Sequence, residues 1–148
     1  MPNRAQDWLA QAERDMRLAA EARQGGFHEW ACFAAHQAAE KAVKALHLAS
    51  GQEAWGHTVA TLLSSLPLEV PAGLVDRGRV LDNFYIPTRY ANGHASGAPF
   101  EHYGAIQSED ALRYAGEILE FVRAAMAGPQ DRGPGGEGVG GPGGAEAP

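Results

Sequence analysis

The segment 81–94 holds the side chains best suited to chemistry in this chain of 148 residues. Arg89 can bind a phosphate through two parallel hydrogen bonds, and His94 can accept or release a proton near neutral pH. The rings of Tyr85 and Tyr90 offer surfaces on which a nucleobase can stack. These residue types, gathered in one short stretch, indicate a site for RNA or a nucleotide.

Asn92 belongs to the same stretch and adds an amide that can read polar groups of a bound nucleotide. Two lysines of a more N-terminal helix, Lys41 and Lys44, are further candidates for binding a nucleotide or RNA. Each lysine also has a structural alternative, because Glu40 and Lys44 can form an ion pair one turn apart and Lys41 can reach Asp15 on another helix. Both interpretations stay open at this point.

The spacing of the histidines argues against a metal site. On one helix His28 and His36 would lie roughly 12 Å apart, and His36 and His47 roughly 16 Å apart, too far to share an ion. The chain has no glycine-rich loop ending in Lys-Ser/Thr and no Gly-x-Ser-x-Gly turn. We therefore expect neither a metal nor a cofactor, and the motifs of common enzyme classes are absent from the sequence.

Charge and hydropathy narrow the class of protein. The formal net charge is −6, so no general basic field attracts nucleic acid and RNA binding must depend on local arginines. No run of eighteen apolar residues predicts a membrane helix, and the first residues lack the apolar core of a signal peptide. We expect a cytoplasmic protein without membrane contact, in which the lone Cys32 is a small buried hydrophobic residue.

The elements that must position these side chains are helices. The first is expected from Asn3, as cap for the amide of Gln6, to the glycine pair Gly25-Gly26, with Asp15 on its apolar seam as an acceptor for a hydrogen bond from another helix. The second, residues 27–48, is apolar or small on most faces and is therefore expected at the centre.

Three more helices complete the prediction. A short third helix begins near Thr58, a fourth runs from Pro71 to about Phe84, and the last has Ser108 as its N-cap. Residues 88–107 between them show no sustained period and are expected to form a long loop, a common place for function.

The fold class is thus all-α, a four- to five-helix up-and-down bundle in a domain of residues 1–127. Residues 128–148 are dominated by glycine and proline and are expected to form a disordered tail, because they cannot bury enough apolar surface to offset their conformational entropy.

From its start to about Ala127 the chain resembles HEPN (higher eukaryotes and prokaryotes nucleotide-binding) domains. The resemblance rests on four blocks: Trp8-x3-Ala12-x2-Asp15-Met16-x2-Ala19, Ala31-Cys32-Phe33-x3-Gln37-Ala38-Ala39-Glu40-Lys41-Ala42-x-Lys44-Ala45-Leu46, His57 with Leu62-Leu63, and Leu81-Asp82-x2-Tyr85-x3-Arg89-Tyr90. The second block is the most specific of them.

The resemblance implies a bundle that usually forms a homodimer or a larger homo-oligomer, often the partner of a minimal nucleotidyltransferase in a toxin–antitoxin module. Many members of the family are metal-independent endoribonucleases, with an arginine followed after four to six residues by a histidine. This spacing occurs twice, at Arg23–His28 and Arg89–His94, and the position before the last helix favours the second pair. Arg89 would then hold the scissile phosphate while His94 acts on the 2′-hydroxyl.

Four polar residues within the matching blocks have structural interpretations: Asp15, Glu40, His57 and Asp82. His57, just before a helix, is expected to act as a local cap or packing residue. The alternative to an enzyme is a non-catalytic helical module, in which the loop around Arg89 and Tyr90 binds a nucleotide or a partner protein.

Overall fold

Helices make up the computed structural model, which describes the backbone of residues 3–146 and the side chains of residues 3–128. The five helices are α1 (Ala5–Gln24), α2 (His28–Ala49), α3 (Val59–Ser64), α4 (Ala72–Asp82) and α5 (Ala105–Glu146). Two single 3-10 turns, Ala91–Gly93 and Pro99–Glu101, lie between α4 and α5, and no strand occurs in residues 3–146. The predicted all-α class is confirmed.

Helix α2 lies at the centre, as its composition predicts, and contacts α1, α3, α4 and α5. It is rich in alanines whose side chains are buried, among them Ala35, Ala38, Ala39 and Ala42, each with no exposed surface. Such small side chains let the backbones of neighbouring helices approach closely. The core is completed by larger residues of the surrounding elements: Leu63, Leu81, Ile118, Leu119 and Val122.

A three-residue turn reverses the chain between α1 and α2. Gly26 has a φ of 87°, a conformation that a side chain would strain. The amide of Phe27 donates to the carbonyl of Ala22 and that of Gly26 to the carbonyl of Arg23, the hydrogen-bond pattern that commonly ends a helix at a glycine. The predicted stop of the first helix at Gly25-Gly26 is therefore correct.

Helices α3 and α4 are joined through a carboxylate at the end of α4. Asp82 accepts hydrogen bonds from the amides of Val59 and Ala60, at 2.6 and 3.1 Å. These are among the amides at the start of α3 that have no partner within their own helix. Gly78, one turn before Asp82, lies directly against the same backbone, since a Cβ atom there would come within 3.2 Å of the Ala60 nitrogen.

Two predicted helix caps are wrong. Asn3 accepts a hydrogen bond from the amide of Ala5, not Gln6, and its own amide group donates to the carbonyl of Leu48, so it ties α1 to the end of α2. Ser108 is not an N-cap, because α5 begins at Ala105 and Ser108 is buried one turn inside it. Its hydroxyl instead accepts a hydrogen bond from Arg23.

The predicted tail begins where the helical dihedral angles of α5 are interrupted, at Gly128 with a φ of 72° and a ψ of 175°. The side chains after residue 128, and residues 147–148 altogether, lie outside the described residues. Disorder of residues 128–148 stays a prediction.

We expect Gly78→Ala to lower the free energy of unfolding by about 1–2 kcal/mol through overpacking. The new Cβ would push against the α3 backbone, which cannot retreat without breaking the hydrogen bonds to Asp82. Gly116→Ala is the matched control, because a Cβ there meets nothing within 4 Å and alanine favours a helix by about 1 kcal/mol over glycine. Urea denaturation measures both; equal stabilisation by the two substitutions would contradict the packing argument.

Cys32 gives a second prediction, on the dependence of stability on pH. Burial of the thiol, with a smaller effect of the Glu29 charge, raises the pKa of Cys32 from its ordinary value of 9.0 to about 12. Below pH 9 the thiol is neutral in both the folded and the unfolded chain, so its contribution is constant. Between pH 9 and about 12 only the unfolded chain loses the proton, and the free energy of unfolding falls.

Urea denaturation from pH 8 to 11, compared with Cys32→Ala, isolates this contribution, since the variant lacks the thiol and keeps the other titrating groups. We expect the difference between the two proteins to change by about 1.4 kcal/mol per pH unit above pH 9. A difference that stays constant with pH would show that the thiol ionises in the folded protein.

Candidate functional site

Arg89 lies among three aromatic rings after the end of α4. Its guanidinium carbon is 4.2 Å from the centre of the Phe33 ring, 4.9 Å from that of Tyr85 and 5.1 Å from that of Tyr90. Phe33 belongs to α2, so the three rings around Arg89 join the central helix to the loop. Cation–π contacts of this kind hold the planar guanidinium in one orientation.

Part of the guanidinium is bound by the backbone. Both Nε and Nη2 of Arg89 donate to the carbonyl of Tyr85, at 2.9 and 2.8 Å. A guanidinium has five N–H groups, and within residues 3–128 no other acceptor is bound to them. Arg89 can therefore present the remaining three N–H groups to a ligand while the Tyr85 carbonyl and the rings fix its position.

His94 is held against the same short segment of chain. Its Nε2 lies 2.7 Å from the carbonyl oxygen of Pro87. A Cβ on Gly93 would come within 3.0 Å of the Pro87 Cα, so the glycine permits the close approach. Because a carbonyl only accepts, Nε2 carries the proton, and Nδ1, without a hydrogen-bond partner in residues 3–128, is free to accept one.

Two residues that the sequence did not point to surround His94. The ring of His102 stacks on it with centres 4.1 Å apart and planes 2° from parallel, and the ring of Tyr103 meets it edge-on at 5.7 Å. Burial raises the pKa of Tyr103 above its ordinary value, so its phenol keeps its proton at neutral pH. Neither residue belongs to a periodic pattern that could reveal its place.

The other predicted members of the loop differ in their surroundings. Tyr90 is 51% exposed, and the Arg89 guanidinium lies over its ring. Asn92 is exposed within the 3-10 turn. Arg89 and His94 form no direct hydrogen bond, but both are tied to carbonyls of the segment 85–87.

Tyr85 also connects Arg89 with His57, a residue of the loop between α2 and α3. The His57 ring stacks on the Tyr85 ring with centres 4.9 Å apart and planes 17° from parallel. The Nδ1 atom of His57 lies 3.1 Å from a carboxylate oxygen of Glu40. Glu40 itself is only 4% exposed.

Lys44 and His36 also contact these residues. Lys44 donates to the Glu40 carboxylate at 2.9 Å, as predicted for a pair one turn apart. The Nε2 of His36, a fully buried histidine, lies near both the His57 carbonyl and Asp82, at 3.0 and 3.1 Å. His36 thus links the α2–α3 loop to the end of α4.

Lys41 forms the predicted bridge between helices, with its ammonium 2.6 Å from Asp15 on α1. Asp15 is buried and also accepts from Gln11. Both lysines proposed as RNA contacts are therefore paired with carboxylates, although about a quarter of the Lys41 side chain remains exposed, at 27%.

The other arginine and histidine with this spacing, Arg23 and His28, make contacts at a different place in the structure. Arg23 donates to the Ser108 hydroxyl at 3.0 Å, and His28 Nδ1 lies 2.8 Å from the same oxygen. These contacts fasten the α1–α2 turn to α5 and leave the two side chains in a structural role.

Two findings concern the part of the chain that the structure describes. No group of three or more metal-binding side chains lies together. None of the helices there is long and apolar enough to cross a membrane.

Comparisons with known proteins agree with this architecture. The family model described as HEPN domain matches residues 5–125. The crystal structure of TT1696 from Thermus thermophilus is 50% identical, with a TM-score of 0.82 over 83% of this chain and 98% of that one. The structure of ST0689, described as an archaeal HEPN homologue, is 37% identical, with a TM-score of 0.74 over 85% and 99% of the two chains.

A third structure, of an HEPN domain protein from Thermotoga maritima, is 33% identical, with a TM-score of 0.68 over 82% of this chain and 98% of that one. No curated protein matches the chain. The family model spans most of the chain, and the three solved structures are covered almost completely. On this evidence the chain belongs to the HEPN domain family.

Proposed function

We propose that the protein is a metal-independent endoribonuclease that works as a homodimer and forms a toxin–antitoxin-like pair with a minimal nucleotidyltransferase. The substrate is RNA, bound at the loop of Arg89 and His94. Tyr85 and Tyr90 flank the phosphate-binding group, and Asn92 lies exposed beside them.

One observation carries the proposal. Arg89 and His94 are both bound to carbonyls of the segment 85–87, and each keeps the hydrogen-bonding atoms that the reaction needs free. Arg89 keeps three N–H groups for a phosphate. His94 has its proton on Nε2, bound to the Pro87 carbonyl, which leaves Nδ1 as a base. A cation for the phosphate and an unprotonated imidazole are the two groups that attack by a 2′-hydroxyl requires.

In this reaction Nδ1 of His94 takes the proton of the 2′-hydroxyl, and the 2′-oxygen attacks the adjacent phosphorus. Arg89 stabilises the negative charge that develops on the phosphoryl oxygens. The bond from phosphorus to the 5′-oxygen breaks and that oxygen takes up a proton, which leaves a 2′,3′-cyclic phosphate on one product and a 5′-hydroxyl on the other. This step needs no metal, because His94 supplies the base and Arg89 the positive charge.

The homodimer is supported by apolar surface beside the site. Trp30 is 49% exposed, and its ring meets that of Phe33 edge-on, with centres 6.2 Å apart. Phe33 in turn lies under Arg89. Leu18 and Ile86 are also largely exposed. Exposed aromatic and aliphatic side chains of this size are typical of surfaces that a second copy covers.

A second candidate function is a non-catalytic module that binds a nucleotide or a partner protein through the same loop. It is favoured by the paired state of Lys41 and Lys44, which leaves few free cations to hold a long RNA. Under this alternative Arg89 and Tyr90 bind the ligand and His94 only packs against His102.

The two functions are distinguished by cleavage of a fluorescently labelled, single-stranded RNA of mixed sequence in the presence of EDTA. We expect the wild-type protein to release fragments ending in 2′,3′-cyclic phosphate. His94→Gln should lower kcat by about 100-fold or more, since general base catalysis contributes that much. Arg89→Ala should lower kcat/KM by a similar factor, and Arg89→Lys should not restore it, because an ammonium lacks the planar set of donors.

Arg79→Ala is the matched control for charge, since Arg79 is an exposed arginine of α4 that pairs only with the neighbouring Asp76. It should cleave RNA like the wild type. RNA that remains intact with the wild-type protein, together with nucleotide binding that Arg89→Ala abolishes, would instead establish the binding module.

A further inference from the structure

His57 is exposed and yet rigidly held, a combination that is unusual for a histidine in a surface loop. Its side chain is 56% exposed. Its backbone carbonyl is bound by His36, its Nδ1 atom by Glu40, and its ring stacks on Tyr85. Three independent contacts thus fix the direction in which the remaining ring nitrogen, Nε2, points.

The contact with Glu40 fixes the proton as well as the ring. A carboxylate accepts hydrogen bonds, so Nδ1 of His57 carries a proton and Nε2 is the atom that exchanges one with a ligand. Glu40 is itself held by Lys44 and by the amide of Gln37. A buried carboxylate that orients an exposed imidazole is the arrangement by which proteins position a histidine for acid–base chemistry.

The capping role expected for His57 is filled by another residue. Asp82 binds the first two amides of α3, those of Val59 and Ala60, so the His57 ring is not needed as a cap. The Glu40 charge is paired with Lys44 at 2.9 Å, so it does not need His57 for neutralisation. Neither the cap of α3 nor the neutralisation of Glu40 therefore depends on the imidazole.

His57 and Arg89 both contact the ring of Tyr85. The ring centre of Tyr85 is 4.9 Å from the ring centre of His57 and 4.9 Å from the guanidinium carbon of Arg89. The two groups therefore flank one aromatic ring. An RNA chain that binds Arg89 and extends along the Tyr85 ring would reach this second imidazole.

We propose that His57, oriented by Glu40, is the general acid that protonates the leaving 5′-oxygen; this inference rests on the ribonuclease function proposed above. His94 removes the 2′-hydroxyl proton, the 2′-oxygen bonds to phosphorus, and the bond from phosphorus to the 5′-oxygen breaks. Nε2 of the His57 imidazolium gives its proton to that oxygen. His94 ends protonated and His57 neutral, and exchange with water restores both.

The charged and titratable groups that face His57 belong to several elements. Glu40 of α2 contacts the His57 ring and forms an ion pair with Lys44. His36, also on α2, links the His57 carbonyl to Asp82 of α4. Tyr85 and Arg89 approach from the loop after α4. Within residues 3–128, Glu40 is the group that contacts the ring through a hydrogen bond, which makes it the positioning residue.

The test uses two forms of the RNA that the wild-type dimer cleaves, identical except that one has sulfur in place of the 5′-oxygen at the mapped cleavage site. A thiolate leaves without a proton, so the sulfur substrate does not need a general acid. We expect His57→Gln to cleave the oxygen RNA about 100-fold or more slowly than the wild type. On the sulfur RNA its rate should lie within about threefold of the wild type, because no acid is needed there.

Variants of the neighbouring groups complete the experiment. His94→Gln, which lacks the base, should be slow on both substrates. Glu40→Gln should lower kcat on the oxygen RNA with little change in KM, and the sulfur RNA should restore its rate. His28→Gln, a histidine engaged with Ser108 in the turn between α1 and α2, should match the wild type on both.

Each other outcome overturns the assignment. If His57→Gln is slow on both substrates, or melts at a lower temperature than the wild type, His57 has a structural role. If it cleaves the oxygen RNA at the wild-type rate while Arg89→Ala and His94→Gln do not, the ribonuclease stands and the general acid is another group. If the wild-type protein cleaves no RNA, the ribonuclease function and the assignment of His57 fail together.

Discussion

Because α2 is enclosed by the other helices, the polar side chains on it need partners inside the protein, and this requirement shapes the site. An unpaired buried charge or hydrogen-bonding group costs free energy that a domain of this size cannot absorb. Glu40 meets the requirement through Lys44 and the amide of Gln37, and His36 through Asp82 and the His57 carbonyl. The loop before α3 and the end of α4 are thereby fixed to the central helix, and so are the residues that follow them.

Much of the scaffold could be predicted from the sequence because it depends on local patterns. The helices follow from the period of their apolar residues and from the glycines that end them, and α2 is central because few of its faces are polar. The ion pair of Glu40 and Lys44 follows from their spacing on one helix, and that of Lys41 and Asp15 from a charged residue on an apolar seam. Each of these inferences needs at most two adjacent helices.

The parts that could not be predicted are contacts between segments far apart in the chain. Phe33 under Arg89, His57 against Tyr85 and His102 on His94 are set by how the helices pack, and no periodicity records them. The prediction that Ser108 is an N-cap is wrong for the same reason. Its position before an apolar period suits a cap, but in the folded chain its hydroxyl is used by Arg23 across the bundle.

The balance of charge sets a condition on the proposed binding of RNA. The chain carries a formal net charge of −6, and the α2 lysines are matched by Asp15 and Glu40. Arg89, in contrast, has rings and a carbonyl for neighbours and no carboxylate within residues 3–128. A single uncompensated cation binds one phosphate weakly in water, so the proposed function requires stacking on the exposed Tyr90 and a duplicate site on a partner chain to supply the rest of the affinity.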